Sequence, residues 1–277
     1  MKFVLGPKAV AAGYRREAHD TIGSTNAEAL SRARAGDPGR LWVVSAHQNA
    51  GRGRRGNQWQ TPRGNLAASL LSVVDSTPSI AATLGFVAGL AIDEALRRMA
   101  PELSVVVALD GMGGGEQRNS DRLRLKWPND VHLDGGKLAG ILLEAEPLAD
   151  GRLAVVVGIG VNVVEVPKGL PYPATALAAL GARADAADIF FALSESWTGI
   201  ERIWDGGNGF SRIRELWLDR AAGVGEEVAV RIGGEVLHGS FETIDEQGRL
   251  VIGVPDGTKR VISAGEVHFG AVAGSRR

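Results

Sequence analysis

The sequence predicts an α+β fold, a mixed β-sheet with packed helices over residues 1–221, followed by a small C-terminal β-barrel over 222–277. Three observations carry that prediction. Segments of helical and strand periodicity intermingle up to about residue 221, as expected of helices packed on one mixed sheet. Past Ala222 only short apolar runs remain, separated by turn signals, which is the pattern of a small all-β unit. A chain of 277 residues also has room for one domain of roughly 200 residues and a second of roughly fifty.

Ser24, Thr25 and Asn26 form an N-cap cluster before Ala27-Glu28-Ala29-Leu30, and Gly36-Asp37-Pro38-Gly39 ends that helix. Leu41–Ser45 and Leu66–Val74 are apolar runs of strand length, and between them lies a Gly- and Arg-rich loop from Ala50 to Gly64. Pro78 opens the next helix, whose residues Ile80, Leu84, Val87, Ala91 and Ala95 have the spacing of a core-facing stripe. Val105–Leu109 reads as a buried strand, followed by a glycine-rich surface insertion over 110–121. Arg122–Lys126, Leu138–Ala145 and Leu153–Val164 read as strands, with turns at Asp134-Gly135-Gly136 and Asp150-Gly151. Helices are expected over Asp188–Trp204 and Ser211–Leu218. The C-terminal strands are expected at Glu227–Ile232, Val236–Ile244, Leu250–Val254 and Lys259–Ser263.

A hydrophobic fraction of 44% with 23% charged residues is that of a soluble globular chain with a true core. The 31 basic and 32 acidic residues give a net charge of -1, so the chain as a whole carries no electrostatic footprint for nucleic acid. With no cysteine, disulfides, thiolate metal sites and cysteine nucleophiles are excluded. The run from Met1 to Val10 is broken at Gly6-Pro7 and is too short for a signal-peptide core. No apolar stretch reads as approaching the ~18 residues of a membrane span, and a cytoplasmic location is expected.

Chemistry concentrates in three segments. Gln48-Asn49-Ala50-Gly51-Arg52-Gly53-Arg54-Arg55-Gly56-Asn57-Gln58-Trp59 offers a backbone that closes tightly and guanidinium groups that grip phosphate or carboxylate oxygens. An anionic ligand is the direct inference, with a solvated turn or an RNA-backbone contact as competing readings. In Lys126-Trp127-Pro128-Asn129-Asp130, a hairpin would bring Asp130 near Lys137, either to hold its ammonium in place or as a surface ion pair of little consequence. In Gly158-Ile159-Gly160-Val161-Asn162, glycines alternate within a strand, which suggests a ligand or another backbone approaching closely, or a plain bulge. No third glycine leads into a helix, so this is not a dinucleotide fingerprint.

In this order the segments resemble the biotin protein ligases. The resemblance rests on Ser24-Thr25-Asn26, Gln48 with Gly51-Arg52-Gly53-Arg54-Arg55-Gly56 and Trp59, Lys126-Trp127-Pro128-Asn129-Asp130, Lys137-Leu138-Ala139-Gly140-Ile141 and Gly158-Ile159-Gly160-Val161-Asn162, and spans roughly residues 18 to 270. It implies a catalytic domain like that of the class II aminoacyl-tRNA synthetases and biotin synthetases, with an SH3-like C-terminal barrel. The implied reaction forms biotinyl-5'-AMP from biotin and ATP with Mg²⁺, then transfers biotin to a lysine of a biotin carboxyl carrier protein domain. Lys137, Arg52 and Asp130 would be catalytic. Ser24, Thr25, Asn26, Gln48, Gly51, Arg52, Lys137, Gly140, Ile141, Gly158 and Gly160 would bind biotin, and Arg54, Arg55, Trp59, Asn129 and Asn162 would serve ATP. Tyr172 is the candidate for stacking on adenine. No metal ligands are assigned.

Three departures from the family pattern stand out. Asn57 replaces a usually basic residue, the 110–121 stretch is longer than usual, and only about 20 residues precede Ser24, so no DNA partner is expected. No membrane partner is expected either, and a homodimer is admitted. The same fold in a lipoate protein ligase or octanoyltransferase is the rival, but those enzymes do not resemble Gly51 to Gly56. If the arginine loop orders over its ligands, trypsin will cut after Arg52, Arg54 or Arg55 in the free protein and be suppressed by biotin plus ATP. Equal cleavage with and without ligands would contradict loop closure.

Overall fold

The computed structural model describes residues 2–101, 122–232, 235–263 and 266–269. The expected strand Val105–Leu109 and the insertion 110–121 lie outside the described residues. In chain order the elements before the second sheet are α1 (Pro7–Ala11), β1 (Arg15–His19), α2 (Thr25–Arg34), β2 (Leu41–Ser45), β3 (Leu66–Val74), α3 (Pro78–Ala82), α4 (Leu84–Met99), β4 (Leu123–Lys126), β5 (Asp130–Leu133), β6 (Gly136–Pro147), β7 (Leu153–Val161), α5 (Ala186–Trp204) and α6 (Phe210–Leu218). Strands β1 to β7 form one sheet in the order β1-β2-β3-β7-β6-β5-β4. It is mixed: β1 and β2 run parallel and every other neighbouring pair antiparallel.

The apolar runs of β2, β3 and β7 are nearly continuous because helices cover both faces of these strands. Leu41, Val43, Leu71, Ala154 and Val156 pack under Ala29, Leu30 and Ala33 of α2. The alternate residues Trp42, Val44, Leu70, Val155 and Val157 face the core shared with α4 and α5. There Trp42 makes edge-to-face contacts with Phe190 and Trp197, at centroid separations of 5.7 and 5.9 Å. Ser24 caps α2, its side chain accepting from Ala27 N–H at 3.3 Å. Asp134 and Gly135, with φ of 50° and 78°, form the two-residue turn between β5 and β6, the geometry of a tight hairpin.

Sequence expectation and structure differ at several places. The elements α1, β1 and β5 were not expected, being short and, in β1, largely charged. The apolar stripe of the 78–99 helical stretch is buried from Leu84 onward, whereas Ile80 is 39% exposed. That stretch, Pro78–Met99, is by length and composition apolar enough to cross a membrane, which corrects the expectation that no such stretch exists. Its most apolar window is 72% buried inside the fold, so the apolar surface is spent on the core.

The C-terminal strands β8 (Glu227–Ile232), β9 (Glu235–Ile244), β10 (Leu250–Gly253), β11 (Lys259–Ile262) and β12 (Glu266–Phe269) form an antiparallel sheet in the order β11-β10-β9-β8-β12. β12, not expected from sequence, returns to pair with β8. This sheet sits against the first through Trp127, whose indole N–H donates to Gly248 O at 3.1 Å, and through Phe86 of α4, whose ring would lie 2.8 Å from a Cβ at Gly248. The connecting chain is pinned by Leu125 N–H to Arg220 O at 2.9 Å and Ala222 N–H to Leu125 O at 2.8 Å.

Asp93 of α4 is fully buried and accepts from Arg97 Nε and Arg220 Nε, each at 3.0 Å. It therefore ties α4 to the segment leading into the second sheet. Asp93→Ala leaves both guanidinium groups without their shared carboxylate and is expected to cost about 3 kcal/mol, seen as a lowered urea midpoint. A wild-type midpoint would show that the ion cluster contributes nothing to the junction.

Candidate active site

Strand register places the site. Ala67, Gly160, Gly140, Asp130 and Lys126 are successive cross-strand partners from β3 through β4, and Ser69, Gly158 and Leu142 form the neighbouring row. Side chains alternate between faces, so both rows lie on the face that α2 covers farther along β7. The paired glycines at 140 and 160 leave a trough there. With the loop 51–59 it encloses a cavity of about 1060 Å³.

The indole of Trp59 fills part of this trough. A Cβ on Gly160 would lie 2.3 Å from the Trp59 ring, and one on Gly140 would lie 3.0 Å from it. The loop reaches this position as a small closed hairpin. Trp59 N–H donates to Gly51 O at 3.0 Å, Gly53 N–H donates to Asn57 O at 2.7 Å, and Arg55 and Gly56 turn the tip with φ of 57° and 76°. Arg52 pairs with Glu144 at 3.1 Å, and Arg54 donates to Asn129 Oδ1 at 2.9 Å, so the loop is fastened to the sheet on both sides.

The inner end of the trough is polar. Thr25 N–H and Oγ1 both lie within reach of Gln48 Oε1, at 2.7 and 3.1 Å, and Gln48 Nε2 donates to Thr61 Oγ1. Ser69 Oγ lies 2.7 Å from Thr25 Oγ1 and 2.6 Å from Asn26 Oδ1, and Asn26 Nδ2 donates to Glu144 Oε2 at 2.8 Å. A Cβ on Gly158 would meet Asn26 Oδ1 at 2.1 Å. Ser69 escaped the sequence reading, since a lone serine in an apolar run carries no motif. Its odd position in β3, opposite Gly158, was the available signal.

At the other end Lys137 Nζ lies 2.7 Å from Asp130 Oδ1. The same ammonium sits over the rings of Trp59 and Tyr172, 5.6 and 5.4 Å from their centroids. The sequence reading of an Asp130–Lys137 contact therefore describes the structure. Arg122, Arg124 and His132 continue the wall outward. Burial, aided by the charge of Lys126, pushes the His132 imidazole down to about 4, and its Nδ1 donates to Gly135 O at 3.1 Å. Below pH ~6.5 the unfolded chain takes up that proton more readily, so the stability His132 contributes is lost as pH falls towards 4.

Of the residues expected at the site, Ser24, Thr25, Asn26, Gln48, Arg52, Arg54, Arg55, Trp59, Asn129, Asp130, Lys137, Gly140, Ile141, Gly158 and Gly160 line the one cavity. Gly51 lines the adjoining groove on the loop. Ile141 takes part through its backbone, because its side chain belongs to the core. Asn162 is 3% exposed, its Nδ2 donating to Thr175 O at 3.2 Å and Lys137 O at 3.4 Å. It ends a strand beyond the trough, where its amide satisfies backbone carbonyls. Among the described residues no group of three His, Asp or Glu side chains is placed to hold a metal.

The sequence pattern of the biotin/lipoate A/B protein ligase family matches residues 21–162, and that of the biotin protein ligase C-terminal domain matches residues 223–270. The chain belongs to the biotin/lipoate A/B protein ligase family. It is 40% identical over 253 residues to the biotin--[acetyl-CoA-carboxylase] ligase of Paracoccus denitrificans, covering 89% of this chain and 97% of that one. It is 37% identical to the enzyme of the same name from Mycobacterium tuberculosis, covering 88% and 85%. The fold is that of the Aquifex aeolicus biotin protein ligase solved with biotin and ATP, at a TM-score of 0.70 and 24% identity over 92% of this chain and 97% of that one. In this family member the glycine trough is occupied by Trp59, and a methyl group at 160 has no room beside that indole. Gly160→Ala is expected to expel the ring and shift its fluorescence, a change that vanishes when Trp59→Phe is already present. Unchanged emission would mean that the trough tolerates a side chain.

Proposed function

We propose that this chain is an ATP-dependent biotin protein ligase, which forms biotinyl-5'-AMP and transfers the biotinyl group to a lysine of a biotin carboxyl carrier protein domain. The observation that carries this reading is the placement of Lys137, held by Asp130 at the end of a trough without side chains and close to an arginine loop. In the first step a biotin carboxylate oxygen attacks the α-phosphorus of ATP and pyrophosphate leaves. Two anions must meet, and Lys137 with Arg52, Arg54 and Arg55 offsets their repulsion and the charge gathering on the phosphoryl oxygens. In the second step the acceptor amine attacks the acyl carbon, the bond to the phosphate oxygen breaks and AMP departs.

In this reading Ser24, Thr25, Asn26 and Gln48 supply donors and acceptors for the biotin ureido group, and the Gly158–Gly160 and Gly140 backbones line its ring system. Trp59, packed on that same floor, bridges the biotin and nucleotide ends. Loop closure excludes water from the adenylate. Magnesium bound to the triphosphate would supply further charge neutralisation, and such an ion draws only one or two carboxylates from a protein. Residues 1–221 form the catalytic domain, and 222–277 a C-terminal domain whose Val267 reaches the cavity wall, which suits a part in closing or acceptor docking. The reaction is placed in the cytoplasm.

Lipoate attachment is the alternative within the family. The Gly51–Gly56 loop and the named relatives favour biotin. Purified protein with ATP should label a biotin carboxyl carrier domain with biotin and not with lipoate; the reverse preference would overturn the reading.

Lys137→Ala is expected to lower both biotin-dependent ATP–pyrophosphate exchange and transfer from supplied biotinyl-adenylate, each by about 10²-fold. Lys137→Arg keeps the charge on a planar fork of different reach and should rescue only in part. A folded Lys137→Ala protein that forms adenylate at the wild-type rate would reduce the lysine to a surface ion-pair residue.

A further inference from the structure

We propose that Tyr172 is an acceptor-binding residue: with Asp130 it forms a receptor for a primary ammonium group, filled in this structure by Lys137 and taken over by the acceptor lysine in the transfer step. The inference rests on the ligase reading above. One carboxylate oxygen at 2.7 Å and the face of Tyr172 at 5.4 Å converge on Lys137 Nζ. A carboxylate and an aromatic face are the groups that recognise a lysine ammonium. The Lys137 ammonium has three N–H donors, and a turn of its flexible stem toward the reacting phosphate would open the carboxylate and the ring face to a second ammonium.

Access and rigidity point the same way. Tyr172 is 40% exposed and lines the cavity, so it can be reached from solvent. Pro171 and Pro173 flank it and restrict the backbone. The segment is then fastened to Lys137 itself, by Lys137 N–H to Pro173 O and Thr175 N–H to Lys137 O, both at 3.0 Å. Asn162 Nδ2 braces the same segment through Thr175 O. The ring is thus held in place relative to the lysine backbone whatever the Lys137 side chain does. An entering lysine would lay its apolar stem along the ring. The ammonium first loses one proton to free its lone pair; the nitrogen then bonds to the acyl carbon, AMP leaves with the electron pair of the broken C–O bond, and a second proton is lost as the amide forms.

The test uses the full chain with Tyr172→Ala, Tyr172→Phe and Tyr172→Leu, assayed for biotin-dependent ATP–pyrophosphate exchange and for transfer to a purified biotin carboxyl carrier domain at varied concentration. Tyr172→Ala should raise KM for the carrier domain about threefold to tenfold, a larger factor than its effect on the exchange rate or on KM for ATP. Phe should restore the wild-type KM and Leu should not. An equal or larger rise in KM for ATP would assign the ring to the adenine and overturn the proposal. Restoration by Leu would overturn ammonium recognition in favour of a merely apolar wall, and an unchanged Tyr172→Ala would overturn the role altogether. Thermal unfolding of the variants checks the fold, with Tyr172→Phe the control that keeps the packing. Absence of exchange with biotin in the wild-type protein would instead reject the ligase reading itself.

Discussion

The site depends on one constraint of register: Gly140 of β6 lies opposite Gly160 of β7, so two adjacent positions on one face of the sheet carry no side chain. Glycine weakens a strand, and here the cost falls on central strands that have long partners to hold them. β7 pairs along its whole length with both β3 and β6. A slip of one residue would turn Ile141 or Ile159 from the core into the trough, closing the site and opening the core together. Burial of those isoleucines on the opposite face therefore fixes the floor of the cavity. The Trp59 indole, the folded loop and the position of Lys137 all follow from that floor.

Charge is organised locally rather than over the whole chain. The net charge is -1, yet among the described residues Arg52, Arg54, Arg55, Arg122, Arg124, Lys126 and Lys137 share one cavity wall with only Asp130 and Asp134 as acids. An exposed ion pair adds little stability. The pairs Lys137–Asp130, Arg52–Glu144 and Arg122–Asp134 are better understood as fixing where flexible cationic side chains stand. Asn26 connects this charged region to the polar end, since it touches both Glu144 and Ser69. The two ends of the trough are thereby coupled through hydrogen bonds, and a change at the arginine loop reaches the Thr25–Gln48 pair without crossing apolar core.

How much was legible in sequence depended on the range of the signal. β2 and β3 were read to the residue because their apolar runs are bounded by turn residues. The tight hairpin could be read from Asp134-Gly135, and with it the approach of Lys137 to Asp130. β1 and β5 were missed because four or five residues of mixed polarity are stabilised by sheet neighbours rather than by their own pattern. The surroundings of Asn162 were illegible for a related reason. Its motif places it beside the glycine strand, but only the fold shows its amide turned to the backbone of Lys137 and Thr175. The aromatic surroundings of Lys137 could not be foreseen either, since Trp59 and Tyr172 come from loops distant in sequence on either side of it.

The segment Lys126-Trp127-Pro128-Asn129-Asp130 joins these levels. Lys126 and Asp130 are cross-strand partners in the row that crosses the glycine trough. Asn129 receives Arg54 and donates to Ile141 O, tying the loop to β6. Trp127, between them, lines the cavity and also reaches the second sheet: it is 3% exposed and donates to Gly248 O in the turn between β9 and β10. One step earlier, Leu125 is bonded at both backbone groups to the chain that leads into that sheet. A displacement of the C-terminal sheet would thus be felt first at Trp127, which lines the cavity, and at Leu125, which sits between the lining residues Arg124 and Lys126. Coupling between distant parts needs an unbroken physical connection, and here it spans a few bonded residues. The spacing of this segment is explained by that double duty: its flanks serve the trough while its centre holds the second sheet in place.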